Sequence, residues 1–340
     1  MKKTALILSI ILVLGMLAAC NKQPDTAADN TTAENTAAGS KISIVATIFP
    51  IYDWVRNICG EENADITLLL DKGVDLHSYQ PTADDIVKIN ESDVFIYVGG
   101  ESDSWAEDII GTSSGRFTAV SLMEELGDKA KAEELKEGME AGEEKEEDAQ
   151  AAEEEEEEEE ELDEHVWLSL KNAAFLCSAI SEKICAVDPA NADTYKANTA
   201  AYIEKINELE GRYEKAAASA KVKTLLFGDR FPFRYLVDDC GLDYYAAFAG
   251  CSAESEASFE TVAFLAAKTD ELGLNYVMAT ESSDGRLAEA VINATASKSA
   301  KVLVLDSLQS DDMNDVNSGK TYLSAMENNL EVLKTALSAQ

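Results

Sequence analysis

Histidine is nearly absent from this chain: 340 residues carry only His77 and His165. There is no His-Glu-x-x-His, which removes the helical zinc-hydrolase motif. No two cysteines stand as Cys-x-x-Cys, which argues against a structural zinc clamp built on thiolates. Basic side chains are scarce too. The 28 Lys and Arg face 65 Asp and Glu, and a net charge of -37 argues against nucleic acid or an anionic membrane surface as a partner. It suits a receptor for cations. Beyond the first twenty residues no stretch is apolar and long enough to span a bilayer.

What is present begins at the start of the chain. Lys2 and Lys3 precede an apolar run, Leu6 to Leu17, too short for a spanning helix of the mature protein. It ends in Leu17-Ala18-Ala19-Cys20, which resembles the bacterial lipobox, whose cysteine is lipidated and becomes the first mature residue. Residues 1–20 therefore read as a lipoprotein signal peptide, and residues 21–40, mostly Ala, Thr, Asn, Asp and Gly, as a flexible tether. The expected location is the outer face of the cell membrane, reached by export and held through acyl chains on Cys20. The other five cysteines are an odd number, so at least one thiol is free or pairs outside the chain. Cys177 and Cys185 share the apolar face of one predicted helix and read as core. A Cys240–Cys251 bridge is open in an exported protein, and nothing in the spacing requires it.

About 300 residues remain, enough for one large or two ordinary domains. Strands predicted at 42–46, 64–70, 94–98 and 117–121 alternate with helices in an N-terminal lobe, residues 41–191. Strands at 223–227, 242–249, 276–280 and 301–305 repeat the pattern in a C-terminal lobe, residues 221–340. The fold class is therefore α/β with parallel sheets, and a long helix over 192–220 is the natural strut between the lobes. An acidic insertion, residues 128–163, holds nine consecutive glutamates and no buried-face periodicity. Like charges at helical neighbour spacing repel, so it reads as a solvated spacer, with a weak cation collector as the functional alternative.

Ligands of such sheets bind at the carboxyl ends of strands. His77, in Gly73-Val-Asp-Leu-His-Ser-Tyr-Gln-Pro81, follows the second strand, and His165, in Asp163-Glu-His-Val-Trp-Leu-Ser169, stands just before a helix start. Each has carboxylates close in sequence, and neutral imidazole is the commonest protein ligand for zinc and its neighbours. Asp229 follows the strand 223–227, and Glu281 and Asp284 follow 276–280. Each carboxylate also has a structural reading. Asp229 can cap a helix or pair with Arg230 or Arg234, Glu281 can accept backbone amides, and Asp284 before Gly285 can be a simple N-cap.

From Lys41 to the last helix the chain resembles the zinc and manganese receptors of bacterial ABC importers. The resemblance rests on Thr47-Ile-Phe-Pro-Ile-Tyr-Asp53, on the two histidine segments, on Phe227-Gly-Asp-Arg-Phe231 and on Thr280-Glu-Ser-Ser-Asp-Gly285. It implies two βα lobes joined by one rigid helix, a metal cleft between them, His77 and His165 as ligands, and an ABC permease as partner. It also implies zinc as cargo, with manganese or ferrous iron as alternatives, and a monomer. The family's third ligand position falls on Gly228, which has no donor. Asp229 would stand in for it, with Glu281 or Asp284 closing the site. The loop that is usually His-rich in the zinc branch is acidic here.

Two other classes remain open. A metal-dependent hydrolase would need a general base beyond the ligands. Gly111-Thr-Ser-Ser-Gly115 fits a nucleophile motif by letter but lies between a helix and a strand, the reverse of the order that motif needs, and reads as a turn. An adhesin reading rests on surface exposure alone.

Overall fold

The computed structural model describes residues 41–113, 115–140, 161–252 and 256–338. The expected signal peptide with Cys20, the tether and most of the glutamate run lie outside the described residues.

The first sheet contains β1 (Ile42–Ala46), β2 (Ala64–Leu68), β3 (Val94–Tyr97) and β4 (Thr118–Ser121), all parallel, in the order β2-β1-β3-β4. The Val-Phe-Ile-Tyr run of β3 is buried at every position, as a strand covered on both faces must be. Helices α1 (Phe49–Cys59), α2 (Ala83–Glu91), α3 (Trp105–Thr112) and α4 (Leu122–Leu126) follow their strands. α2 starts where its sequence directs: Thr82 and Asp85 form a reciprocal capping box.

Then α5 (Leu170–Val187), capped by Ser169, leads into α6 (Ala192–Ser219). The 28 residues of α6 make a rod of about 42 Å. It ties to both lobes: Tyr202 Oη donates to Asp53 in α1, and Tyr213 Oη donates to the Met326 carbonyl near the C-terminus.

The second sheet repeats the topology, β6-β5-β7-β8, from β5 (Thr224–Phe231), β6 (Asp243–Ala249), β7 (Tyr276–Thr280) and β8 (Lys301–Leu305), again all parallel. Helices α7 (Arg234–Cys240), α8 (Phe259–Leu272), α9 (Arg286–Ala294), α10 (Met313–Ser318) and α11 (Tyr322–Ala336) complete the lobe. β5 runs past the expected end at Phe227. A bulge at Gly228 and Asp229 interrupts the ladder, pairing with β6 resumes at Arg230 and Phe231, and the helix begins at Arg234 rather than near Phe231.

The acidic insertion differs from its expectation at both ends. Residues 131–140 lie along the second lobe instead of standing in solvent. Ala132 bridges Leu162, and Glu140 bridges Phe248 on the edge strand β6. Lys131 pairs with Asp238, Lys136 pairs with Asp243, and Lys136 Nζ lies 4.0 Å from the Tyr244 ring centroid. Acids of the segment dock it too: Glu134 pairs with Arg234 at 2.9 Å, and Glu140 accepts the Ser258 N–H at 2.5 Å.

Candidate metal centre

His77 sits in a single 3-10 turn, Leu76–Ser78, in the loop after β2. Asp75 caps the turn by accepting the His77 backbone N–H at 3.0 Å. The His77 ring shares a hydrogen bond between Nδ1 and Ser102 Oγ at 2.5 Å. Ser102 belongs to the loop after β3 and is fixed in turn, its N–H donating to Glu164 Oε1 at 2.9 Å. His165 is completely buried, and one oxygen of Asp163 takes both its backbone N–H and its Nδ1, each at 2.9 Å. Each ring is thus held through Nδ1, and the two Nε2 atoms are left facing one another at 3.3 Å.

A third donor meets them. The Sγ of Cys251 and donor atoms of both imidazoles lie within 4.8 Å of one another, the one such cluster of three among the described residues. Cys251 stands just beyond β6. Gly250 brings the chain there: a Cβ on it would lie 2.9 Å from His165 Cε1 and 2.9 Å from the Phe231 carbonyl, so only glycine lets this strand end pass over the ring. The Cys251 N–H donates to Glu133 in the docked arm at 3.1 Å.

The cluster is electrostatically asymmetric. Burial, and then the charge of His165, push the His77 pKa down to about 4. Burial acts to lower His165 as well, but the charge and hydrogen bond of Asp163 outweigh it and hold that pKa above the ordinary value. Burial pushes the Cys251 thiol well up, helped by the charges of Glu133, Glu164 and Asp163. Glu164 Oε2 is buried with no hydrogen-bond partner. A cation placed here would lie close to a buried carboxylate oxygen that no hydrogen-bond donor satisfies, a favourable partner for positive charge.

The carboxylates expected as ligands are engaged elsewhere. Asp229 accepts the Thr280 N–H at 2.8 Å and hydroxyl at 3.0 Å, clasping the bulge of β5 to the end of β7. Glu281 accepts the Ser307 N–H at 2.6 Å and hydroxyl at 2.7 Å. Asp284 is exposed, pairs with Arg286 and accepts its N–H ahead of α9. None of the three joins the histidine cluster. Carboxylates at strand ends satisfy backbone donors as readily as they bind metal, and here the backbone has taken them. Gly228 is filled space, not a gap: a Cβ there would stand 2.5 Å from Ala288 Cα of α9. Cys240 and Cys251 are both free thiols, so the open disulfide is not made. Sequence reasoning weighed Cys251 only as a possible disulfide partner of Cys240 and sought the remaining donors among carboxylates at strand ends. The available signal was its place after β6, which occupies in the second sheet the position that β2, ahead of His77, holds in the first.

The model of a family described as "Zinc-uptake complex component A periplasmic" matches residues 44–336. The chain is 31% identical over 339 residues to a zinc-binding lipoprotein, AdcA, of Streptococcus pneumoniae, covering 98% of this chain and 61% of that one. It therefore spans about three fifths of the length of that relative. It is 30% identical to the high-affinity zinc uptake system protein ZnuA of Bacillus subtilis, covering 88% of each. The Zn(II)-bound ZnuA-like domain of Streptococcus pneumoniae AdcA superposes with a TM-score of 0.67 at 28% identity, over 87% of this chain and 99% of that domain.

Proposed function

Since the chain belongs to the periplasmic zinc-uptake component A family, we propose that it is an extracytoplasmic receptor which captures one zinc ion between its lobes and delivers it to the permease of an ABC importer. The observation that carries this is the pair of Nε2 atoms 3.3 Å apart, each ring oriented through its own Nδ1 partner. Two imidazoles on one zinc, with bonds of ~2.0–2.1 Å at a tetrahedral angle, stand roughly 3.4 Å apart. Similar proteins are named for zinc binding and zinc uptake, which favours zinc over the manganese and iron alternatives. The lipobox-like end at Cys20, and a relative named as a lipoprotein, support export and a lipid anchor. The protein binds and releases its cargo and transforms nothing.

Near neutral pH the depressed pKa of His77 leaves that ring uncharged, so one ligand needs no deprotonation before capture. The test is elemental analysis of the full chain purified without chelator, beside a His77→Ala, His165→Ala double variant. One equivalent of zinc in the wild type and none in the variant is the expected result. Zinc retained by the variant would sink the proposal, and manganese or iron in the wild type would replace the cargo.

A further inference from the structure

We propose that Cys251 binds the cation as a thiolate, making the site His77, His165 and Cys251, and that this third ligand sets a preference for zinc over manganese. The inference rests on the histidine pair being the cation site. It adds the donor that the second lobe supplies.

Position comes first. Three donor atoms from three separate loops converge within 4.8 Å. Tetrahedral donors on zinc, with Zn–N of ~2.0–2.1 Å and Zn–S of ~2.3 Å, stand roughly 3.4–3.7 Å apart. The thiol therefore needs to move by no more than about an ångström to complete the set. The expected donors of the second lobe stand outside this cluster: Gly228 cannot carry a side chain against Ala288, Asp229 accepts from Thr280, Glu281 accepts from Ser307, and Asp284 is exposed beside Arg286.

The loop is also built to present this residue. Gly250 allows the close approach to the His165 ring, and Glu133 holds the Cys251 N–H. Arg230 joins the two sides of the site: Nη2 pairs with Asp75 at 2.8 Å beneath His77, and Nη1 donates to the Ser252 carbonyl at 3.4 Å, next to Cys251. The residue after Cys251 is thereby tied, through Arg230, to the carboxylate that caps the His77 turn.

Binding transfers the thiol proton to solvent as the sulfur lone pair coordinates the cation. Thiolate is a soft donor that suits zinc and not manganese, whereas the carboxylates expected from the sequence serve both. A His2Cys set with one open position is a three-ligand arrangement that zinc accepts, and the open position gives the cargo a way out.

The test is cobalt substitution of the full chain. The metal-free protein with one equivalent of Co(II) should show a thiolate-to-cobalt charge-transfer band in the near ultraviolet. Cys251→Ser should lose that band while still binding cobalt through the histidines, and its zinc-over-manganese preference should fall at least about tenfold, as softness of the donor predicts. Cobalt bound by the wild type without the band overturns the thiolate ligand and leaves the histidine site standing. So does a band that persists in Cys251→Ser. Failure of the wild type to bind cobalt and zinc at all overturns both readings. Should Cys251→Ser fold poorly, Cys251→Ala is read in the same way.

Discussion

One oxygen of Asp163 accepts from both the backbone N–H and the ring Nδ1 of His165, so in the proposed site this carboxylate aims the ligand. Asp163→Ala should weaken zinc binding about 10–100-fold, the usual cost of losing an outer partner of a ligating imidazole. Competition against a chromogenic chelator measures it, with a melting curve to separate loss of fold. An affinity within twofold of wild type would show that packing alone orients the ring. The histidines were legible in the sequence because they are rare and each lies in a short polar segment at the edge of a regular element. Asp163 lies beside His165 in the sequence, but Ser102 meets His77 across 25 residues and Glu164 meets Ser102 across 62, links that no local pattern records. A second carboxylate carries a pH consequence. Burial, and then the charge of Asp306, push Asp311 up to about 7, against the opposing pull of Lys320. With the folded pKa above the ordinary one, the stability Asp311 contributes is complete at low pH and is lost as pH rises from about 4 through 7. Asp311→Asn should therefore flatten the fall in melting temperature between pH 5 and 8, and an unchanged slope would assign that fall to other groups.

At the scale of the element, β5 shows what periodicity conveys and what it omits. The apolar run of this strand was evident, and so was the helix after it. The bulge was not, because Gly228 in a strand is compatible with a bulge, a kink or a missing ligand. The structure selects the first, since the β5–β6 register shifts between Phe227 and Arg230, and α9 packs directly onto Gly228. Gly228→His, which restores the family's imidazole on paper, should cost about 3 kcal/mol or more from overpacking and give no gain in zinc affinity. Thermal unfolding and a zinc titration check both halves. A stable variant with tighter zinc would mean that α9 yields and that the position is available after all. The docked arm at 131–140 was illegible for a related reason. Acid-rich composition predicted solvation of the whole insertion, but Lys131 opposite Asp238 of α7, Lys136 opposite Asp243 of β6 and Glu134 opposite Arg234 hold its first part to the second lobe.

At the scale of the whole molecule, the two sheets repeat one strand order, and alternation of strand and helix was sufficient to foresee both. It could not show how firmly they are joined. Trp167 Nε1, beside His165, donates to the Ser307 carbonyl of the second lobe at 2.9 Å, and Tyr322 Oη of that lobe donates back to the Trp167 carbonyl at 2.7 Å. Buried Asp53 of α1 accepts the Tyr322 N–H at 3.1 Å, and a continuous apolar core runs from Ile42 through α6 to Leu337. Opening the lobes as rigid bodies would strip these buried groups of their partners, at about 1–3 kcal/mol for each. The site loops face a smaller barrier: the His77 turn and the Cys251 loop are held across the cleft mainly through Arg230. Zinc release should therefore proceed by movement of these loops over a fixed frame. Hydrogen exchange of zinc-loaded against metal-free protein should show protection changes at residues 73–79 and 249–252 and none at Trp167 or Tyr322. Faster exchange at Trp167 and Tyr322 on zinc removal would instead require the lobes themselves to part.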